Sequence, residues 1–197
     1  DNDFIHIVYG GSGFGDLGDD TLVGSYLDDT LDGGGGDDLI TAYYGRNVIN
    51  GRDGSDTVQY GFARVDQAVS VDLAAGVGHI DRSGHYPSND LLTSIENVIG
   101  GYGADTLAGS DAANHLWGMA GDDSLSGGLG ADTLDGGKGD DVLAAGDDGA
   151  TLIGGKGADR LTGGAGVDLI EGGKGADVLS GGEGGDVFDV TGVRESK

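Results

Sequence analysis

Carboxylates recur along this chain at a fixed phase, and the period is nine. From Gly15 the units read GDLGDDTLV, GSYLDDTLD, GGGGDDLIT, AYYGRNVIN and GRDGSDTVQ. From Gly100 a second run reads GGYGADTLA, GSDAANHLW, GMAGDDSLS, GGLGADTLD, GGKGDDVLA, AGDDGATLI, GGKGADRLT, GGAGVDLIE, GGKGADVLS and GGEGGDVFD. The sixth place holds Asp20, Asp29, Asp38, Asp56, Asp105, Asp123, Asp132, Asp141, Asp159, Asp168, Asp177 and Asp186; Asn47, Asn114 and Ala150 are the departures. Stacking such a repeat sets carboxylates side by side, and paired hard oxygens are the donors a hard divalent cation takes.

Composition asks for the same thing. The formal net charge is −25, with 10 Lys and Arg against 35 Asp and Glu. A compact chain so charged repels itself unless counter-ions neutralise it. Nucleic acid is a disfavoured partner, because a phosphate backbone seeks a basic face. With no cysteine there are neither disulfide staples nor thiolate metal sites. Glycine numbers 45, where average usage would give about 14. One proline and the absence of a three-residue period set collagen aside. No apolar run is long enough to span a bilayer and no signal peptide is visible. Asp1 rather than Met opens the chain, which reads as a fragment or a processed form.

Other chemistries fail their context. His6, His79, His85 and His115 include no HExxH, so they read as surface or loop histidines. GFGDLG (13–18) matches GxGxxG, but DDTLV follows it where a dinucleotide site needs a helix. There is no GxSxG and no P-loop lysine. The many acidic pairs are already explained by the repeat, without the special pair in a cleft that a glycosidase needs. The chain reads as non-catalytic, with any catalytic passenger outside it.

The elements that position the aspartates follow from the rest of the unit. Glycine at the first, second and fourth places permits a tight turn. Places seven to nine make a very short strand whose eighth residue points inward. That residue is Leu22, Leu31, Ile40, Ile49, Val58, Leu107, Leu116, Leu125, Leu134, Leu143, Leu152, Leu161, Ile170, Leu179 or Phe188.

This GGxGxDxUx pattern resembles the repeats-in-toxin (RTX, hemolysin-type) calcium-binding nonapeptide, well over 15–59 and 100–189 and partially over 60–99. The resemblance implies an all-β fold, a parallel β-roll (a right-handed β-helix or solenoid), in which two nonapeptides make one coil. It implies Ca²⁺ between loops stacked at about the 4.8 Å strand spacing. Its ligands would be the sixth-place aspartates and backbone carbonyls of the first four places. The carbonyls assigned on that basis belong to Gly118, Gly121, Gly136, Gly137, Lys138, Gly139, Gly154, Gly155, Lys156, Gly157, Gly163, Gly164, Gly166, Gly172, Gly173, Lys174, Gly175, Gly181, Gly182 and Gly184. Roughly six to nine ions are expected on ligand sets of this kind.

Parity ranks the sites. Asp105, Asp123, Asp141, Asp159 and Asp177 share one edge as an unbroken ladder; Asn114, Asp132, Ala150, Asp168 and Asp186 share the other. Sites flanking Ala150 are expected to be empty, weak or rebuilt by Asp147 and Asp148. Asp168 with Asp186 reads as a good site, and Asn114 with Asp132 as a weaker one. In the first block Asp20, Asp38 and Asp56 define two sites, whereas Asp29 and Asn47 belong to loops that depart from the motif and are weaker. Lys138, Lys156 and Lys174 form a column that reads as charge balance, with an anionic polymer as the alternative partner.

Five segments are expected: a capping segment (1–14), a first roll block (15–59), a solenoid continuation with a loop excursion (60–99), a second block (100–189) and a tail (190–197). Within them, 3–9 alternate like a strand over the first coil's core, HIDRSGHYPSND is the excursion, and Phe188 with Val190 resembles a closing strand. Tyr9, Tyr26, Tyr43, Tyr44 and Trp117 either pack between turns or bind sugar rings.

By resemblance the function is that of a calcium-responsive module of a secreted bacterial protein. It would be disordered in low calcium, leave through the type I secretion machinery, fold outside the cell or at its surface, and stabilise a passenger. The alternative is a calcium-dependent polysaccharide-binding, adhesin or surface-layer module.

Overall fold

The computed structural model describes residues 1–81 and 88–189; part of the expected excursion and the whole tail, Val190 included, lie outside the described residues. Strands and turns make up these residues, without a helix. They build two sheets facing one another. The ten-stranded first sheet runs in the order Phe4–His6, Thr21–Val23, Leu39–Thr41, Thr57–Gln59, Asn97–Ile99, His115–Trp117, Thr133–Lys138, Thr151–Lys156, Leu169–Lys174 and Val187–Asp189. Every pairing in it is parallel.

In the eleven-stranded second sheet the order is Ser12–Phe14, Thr30–Gly35, Val48–Asp53, Ser88–Thr93, Val77–Ile80, Val69–Asp72, Thr106–Ala108, Ser124–Gly128, Val142–Gly146, Arg160–Gly164 and Val178–Gly182. The chain alternates between the sheets, so it is a β-solenoid. Identical places of units eighteen apart lie in register, as Leu134 with Leu152 and Leu152 with Ile170.

The interior follows from a period of two along very short strands. The eighth residue and the first-place residue after it both turn inward, giving the exposed–buried–exposed–buried pattern of Ser124–Gly128 and Arg160–Gly164. From Leu22 through Ile170 the eighth-place side chains are at most 1% exposed. Leu179 is half-buried and Phe188 is 44% exposed. The core thins at the last coils.

Residues 3–9 cover the first coil by adding a coil. Phe4–His6 pairs with Thr21–Val23 in parallel, and Ile5 and Ile7 pack on the core. The 60–99 excursion is a meander inserted into the second sheet alone. Ser88–Thr93 pairs parallel with Val48–Asp53 but antiparallel with Val77–Ile80. Val77–Ile80 is antiparallel in turn to Val69–Asp72, which resumes parallel pairing with Thr106–Ala108. The first sheet passes directly from Thr57–Gln59 to Asn97–Ile99.

Candidate metal centre

Each sixth-place residue sits just before a strand, where a turn must hand the chain to the opposite sheet. Where the sixth residue one coil on is Asp, the backbone N–H donates to its carboxylate. Asp20 N to Asp38 Oδ1 is 2.8 Å, Asp38 N to Asp56 Oδ1 2.9 Å, Asp123 N to Asp141 Oδ1 2.8 Å, Asp141 N to Asp159 Oδ1 2.9 Å and Asp159 N to Asp177 Oδ1 3.0 Å. On the other edge Asn114 N reaches Asp132 Oδ1 at 2.8 Å, Ala150 N reaches Asp168 Oδ1 at 2.8 Å and Asp168 N reaches Asp186 Oδ1 at 3.2 Å. One oxygen of each carboxylate thus ties coil to coil.

The second oxygen has a different fate. In Asp20, Asp38, Asp56, Asp123, Asp132, Asp141, Asp159 and Asp168, Oδ2 is buried without a hydrogen-bond partner among the described residues. Buried carboxylate oxygens without donors are costly. Burial pushes Asp123 and Asp141 up to about 7, and neighbouring carboxylates add to the shift. Burial likewise pushes Asp56 up to about 6.

Main-chain oxygen converges on the same point. A Cβ placed on Gly154 would lie 2.6 Å from Asp159 Oδ2 and 2.6 Å from the carbonyl oxygen of Gly172, one coil on. Gly15, Gly118 and Gly163 face the matching pairs Asp20 with Gly33, Asp123 with Gly136 and Asp168 with Gly181. First-place glycine therefore leaves room where carboxylate and carbonyl meet. In every cradle loop but that of Asp168 the turn is held by left-handed backbone at the second and fourth places, as at Gly137 (φ 97°) and Gly139 (φ 131°). Asp16, Arg52 and Met119 hold the second place with the same sign of φ despite their side chains.

Among the described residues no three His, Cys, Asp or Glu side chains cluster. Two carboxylates of adjacent coils completed by carbonyls form an all-oxygen donor set, which fits Ca²⁺; Mg²⁺ keeps its waters in such surroundings. The third-place carbonyls of Lys138, Lys156 and Lys174 each accept a hydrogen bond from Gly121 N, Gly139 N and Gly157 N. Their side chains stack in register in one groove with Asp135 and Glu171.

Family-level comparison agrees with this geometry. The model of the RTX calcium-binding nonapeptide repeat matches residues 14–43, 23–58, 99–134, 122–152 and 153–188. The chain belongs to the RTX calcium-binding nonapeptide repeat family. It is a calcium-binding β-roll module, and RTX repeats of this kind are structural rather than typically catalytic. No curated protein matches it.

Not every loop of this RTX roll presents the cradle. Asp105 Oδ2 accepts from Gly101 N of its own loop at 2.6 Å and Oδ1 accepts from Val69 N at 2.7 Å. Asn114 accepts from Ser110 N at 2.6 Å, and Asp29 Oδ2 from Ser25 N at 2.6 Å. In these loops the second residue is not left-handed and its N–H turns inward to occupy the oxygen. The motif letters GGYGAD set Asp105 level with its neighbours; the hydrogen bond from Gly101 N separates it.

Asn47 donates from N and Nδ2 to Asp90 Oδ1 at 3.0 and 2.9 Å, and Tyr60 Oη donates to Asp90 Oδ2 at 3.0 Å. Asp90 therefore closes the Asp29–Asn47 edge with hydrogen bonds. Beside it Tyr26, Tyr43, Tyr44 and Phe62 stack, with ring centroids 4.3–5.8 Å apart, so packing between turns accounts for three of the four clustered tyrosines. Tyr9 is exposed. Asp148 accepts from Gly130 N at 3.0 Å on the exposed side, and Asp147 is also exposed. His115 stacks on Trp117 at 3.4 Å.

Proposed function

We propose that this chain is the calcium-triggered folding module of a secreted bacterial protein. Calcium would sit between Asp20 and Asp38, Asp38 and Asp56, Asp123 and Asp141, Asp141 and Asp159, Asp159 and Asp177, and Asp168 and Asp186. The observation that carries this reading is the row of buried, partnerless Oδ2 atoms facing carbonyls. Without ions those oxygens oppose folding as charges; with ions they become its main support, because binding to the folded state alone is folding free energy. The chain would stay unfolded in a low-calcium cytosol, pass a type I secretion channel, and fold outside to stabilise an attached passenger.

One coil on from Asp132 the sixth place is Ala150, so that position offers one carboxylate and binds weakly. A circular dichroism titration tests the whole reading. Calcium should convert a disordered spectrum to a β spectrum, EGTA should reverse it, and Mg²⁺ should not replace Ca²⁺. A β spectrum that persists through exhaustive chelation would sink it.

The alternative reading, a calcium-dependent glycan-binding or adhesin module, rests on the Lys138–Lys156–Lys174 column. Asp135 and Glu171 in the same groove favour internal charge balance. Binding to a panel of anionic glycans, with and without calcium, separates the two.

A further inference from the structure

We infer an additional calcium site, outside the nonapeptide pattern, at the junction where the chain returns from its excursion, built by Asp56, Glu96 and the carbonyl oxygen of Ser94. The inference rests on the calcium reading above and extends it to residues the repeat does not include. Asp56 is 0% exposed and its Oδ2 has no hydrogen-bond partner among the described residues. That oxygen faces the space in front of Gly51, where an added Cβ would fall against both Asp56 Oδ2 and the Ser94 carbonyl oxygen. The neighbouring cradle has the same form: Gly33 faces Asp38 Oδ2 and the carbonyl oxygen of Gly51.

The second carboxylate comes from Glu96. Its Oε2 accepts from Asp56 N at 2.9 Å, the bond that Asp38 N makes to Asp56 in the regular ladder. Asn97 N donates to Asp56 O at 2.9 Å, fixing Asn97–Ile99 against Thr57–Gln59 in register. Only Ile95 separates Ser94 from Glu96, where a regular loop spends four residues between its first and sixth places. Ser94 takes a left-handed φ of 49° to make this short turn, and Ile95 is buried in the core. A shortened loop holds its backbone farther from the cradle, and the extra methylene of Glu restores the reach that Asp has in a full loop.

The site would join coils separated by 40 residues of sequence and hold the meander's return strand to the first block. Beyond Glu96 the ladder stops, because Asn114 satisfies its oxygen within its own loop.

Crystals of the natural chain grown in calcium and measured for calcium anomalous scattering provide the test. A peak between Asp56 Oδ2, Ser94 O and the Glu96 carboxylate is the expected result. Peaks at Asp20–Asp38 and Asp141–Asp159 with none at Asp56–Glu96 overturn this site and leave the general reading standing; no peak anywhere overturns both. Equilibrium dialysis gives a second readout. E96Q, which retains an acceptor for Asp56 N, should bind one ion fewer or bind it at least about tenfold more weakly, and an unchanged ion count and affinity would overturn the proposal.

Discussion

At the scale of single residues, a cradle requires glycine at the first place of its loop. Where the sixth residue carries a buried partnerless oxygen, the first is glycine; where it is Asn47 or Ala150, the first is Ala42 or Ala145, both buried. A methyl group there occupies the space in which carboxylate and carbonyl converge elsewhere. Gly154→Ala should accordingly remove the Asp159 site while leaving hydrophobic burial intact. If calcium is held near a hundredfold above its Kd, loss of one site costs about 2.7 kcal/mol, or a fall in Tm of roughly 5–10 °C in calcium. Calorimetry with and without EGTA checks it; an equal effect in both media would show that the residue merely packs.

Protons compete for the same oxygens. Asp123 and Asp141 rise to about 7 through burial, against an unfolded value of 3.8. The ion-free roll thus binds more protons than the unfolded chain between those limits, so acid favours it and its stability falls as pH rises from about 4 to 7. Calcium needs the deprotonated carboxylates, so its binding opposes that trend. Apparent calcium affinity should weaken at least about tenfold from pH 7.5 to 5.5, with proton release on binding. Titration calorimetry in buffers of different ionisation enthalpy measures both, and a pH-independent affinity would count against buried carboxylate ligands.

At the scale of elements, two kinds of turn alternate in importance. One kind holds a left-handed second residue, except at Gly164 of the Asp168 loop, and leaves its aspartate for a cation. The other turns an N–H onto that oxygen, as Ser25 does in the 24–29 loop, whose Tyr26 stacks instead on Tyr43 and Tyr44 of the next coil. Tyr60 serves this second kind: it is 0% exposed and its hydroxyl is the partner of Asp90 Oδ2. Tyr60→Phe should leave a buried carboxylate oxygen without that donor and cost about 1–3 kcal/mol. Since no ion sits at Asp90 in this reading, denaturant unfolding should show the loss without a change in the number of calcium ions bound; loss of an ion would place Asp90 among the ligands instead.

At the scale of the whole molecule, the nonapeptide alone was enough to specify a parallel roll. A period of nine, an inward apolar eighth residue and glycine at the turn places leave few other ways to bury anything, and both sheets follow it in the two blocks on either side of 60–99. The first-coil cover at 3–9 was equally legible as alternation, though it proves to be a further rung.

What the residues could not disclose is how the two blocks join. Parity counts edges only while every coil has the same length, and the period lapses over 60–99. The meander enters the second sheet alone, so Asp56 continues through Glu96 toward Asn114 and Asp132, while the Asp105 edge aligns with Val69, Asp90 and Asn47. Repeat chemistry is local and is written in each nine residues. The pairing of one coil with the next is a long-range contact, and across an insertion only the hydrogen-bonded sheets fix it.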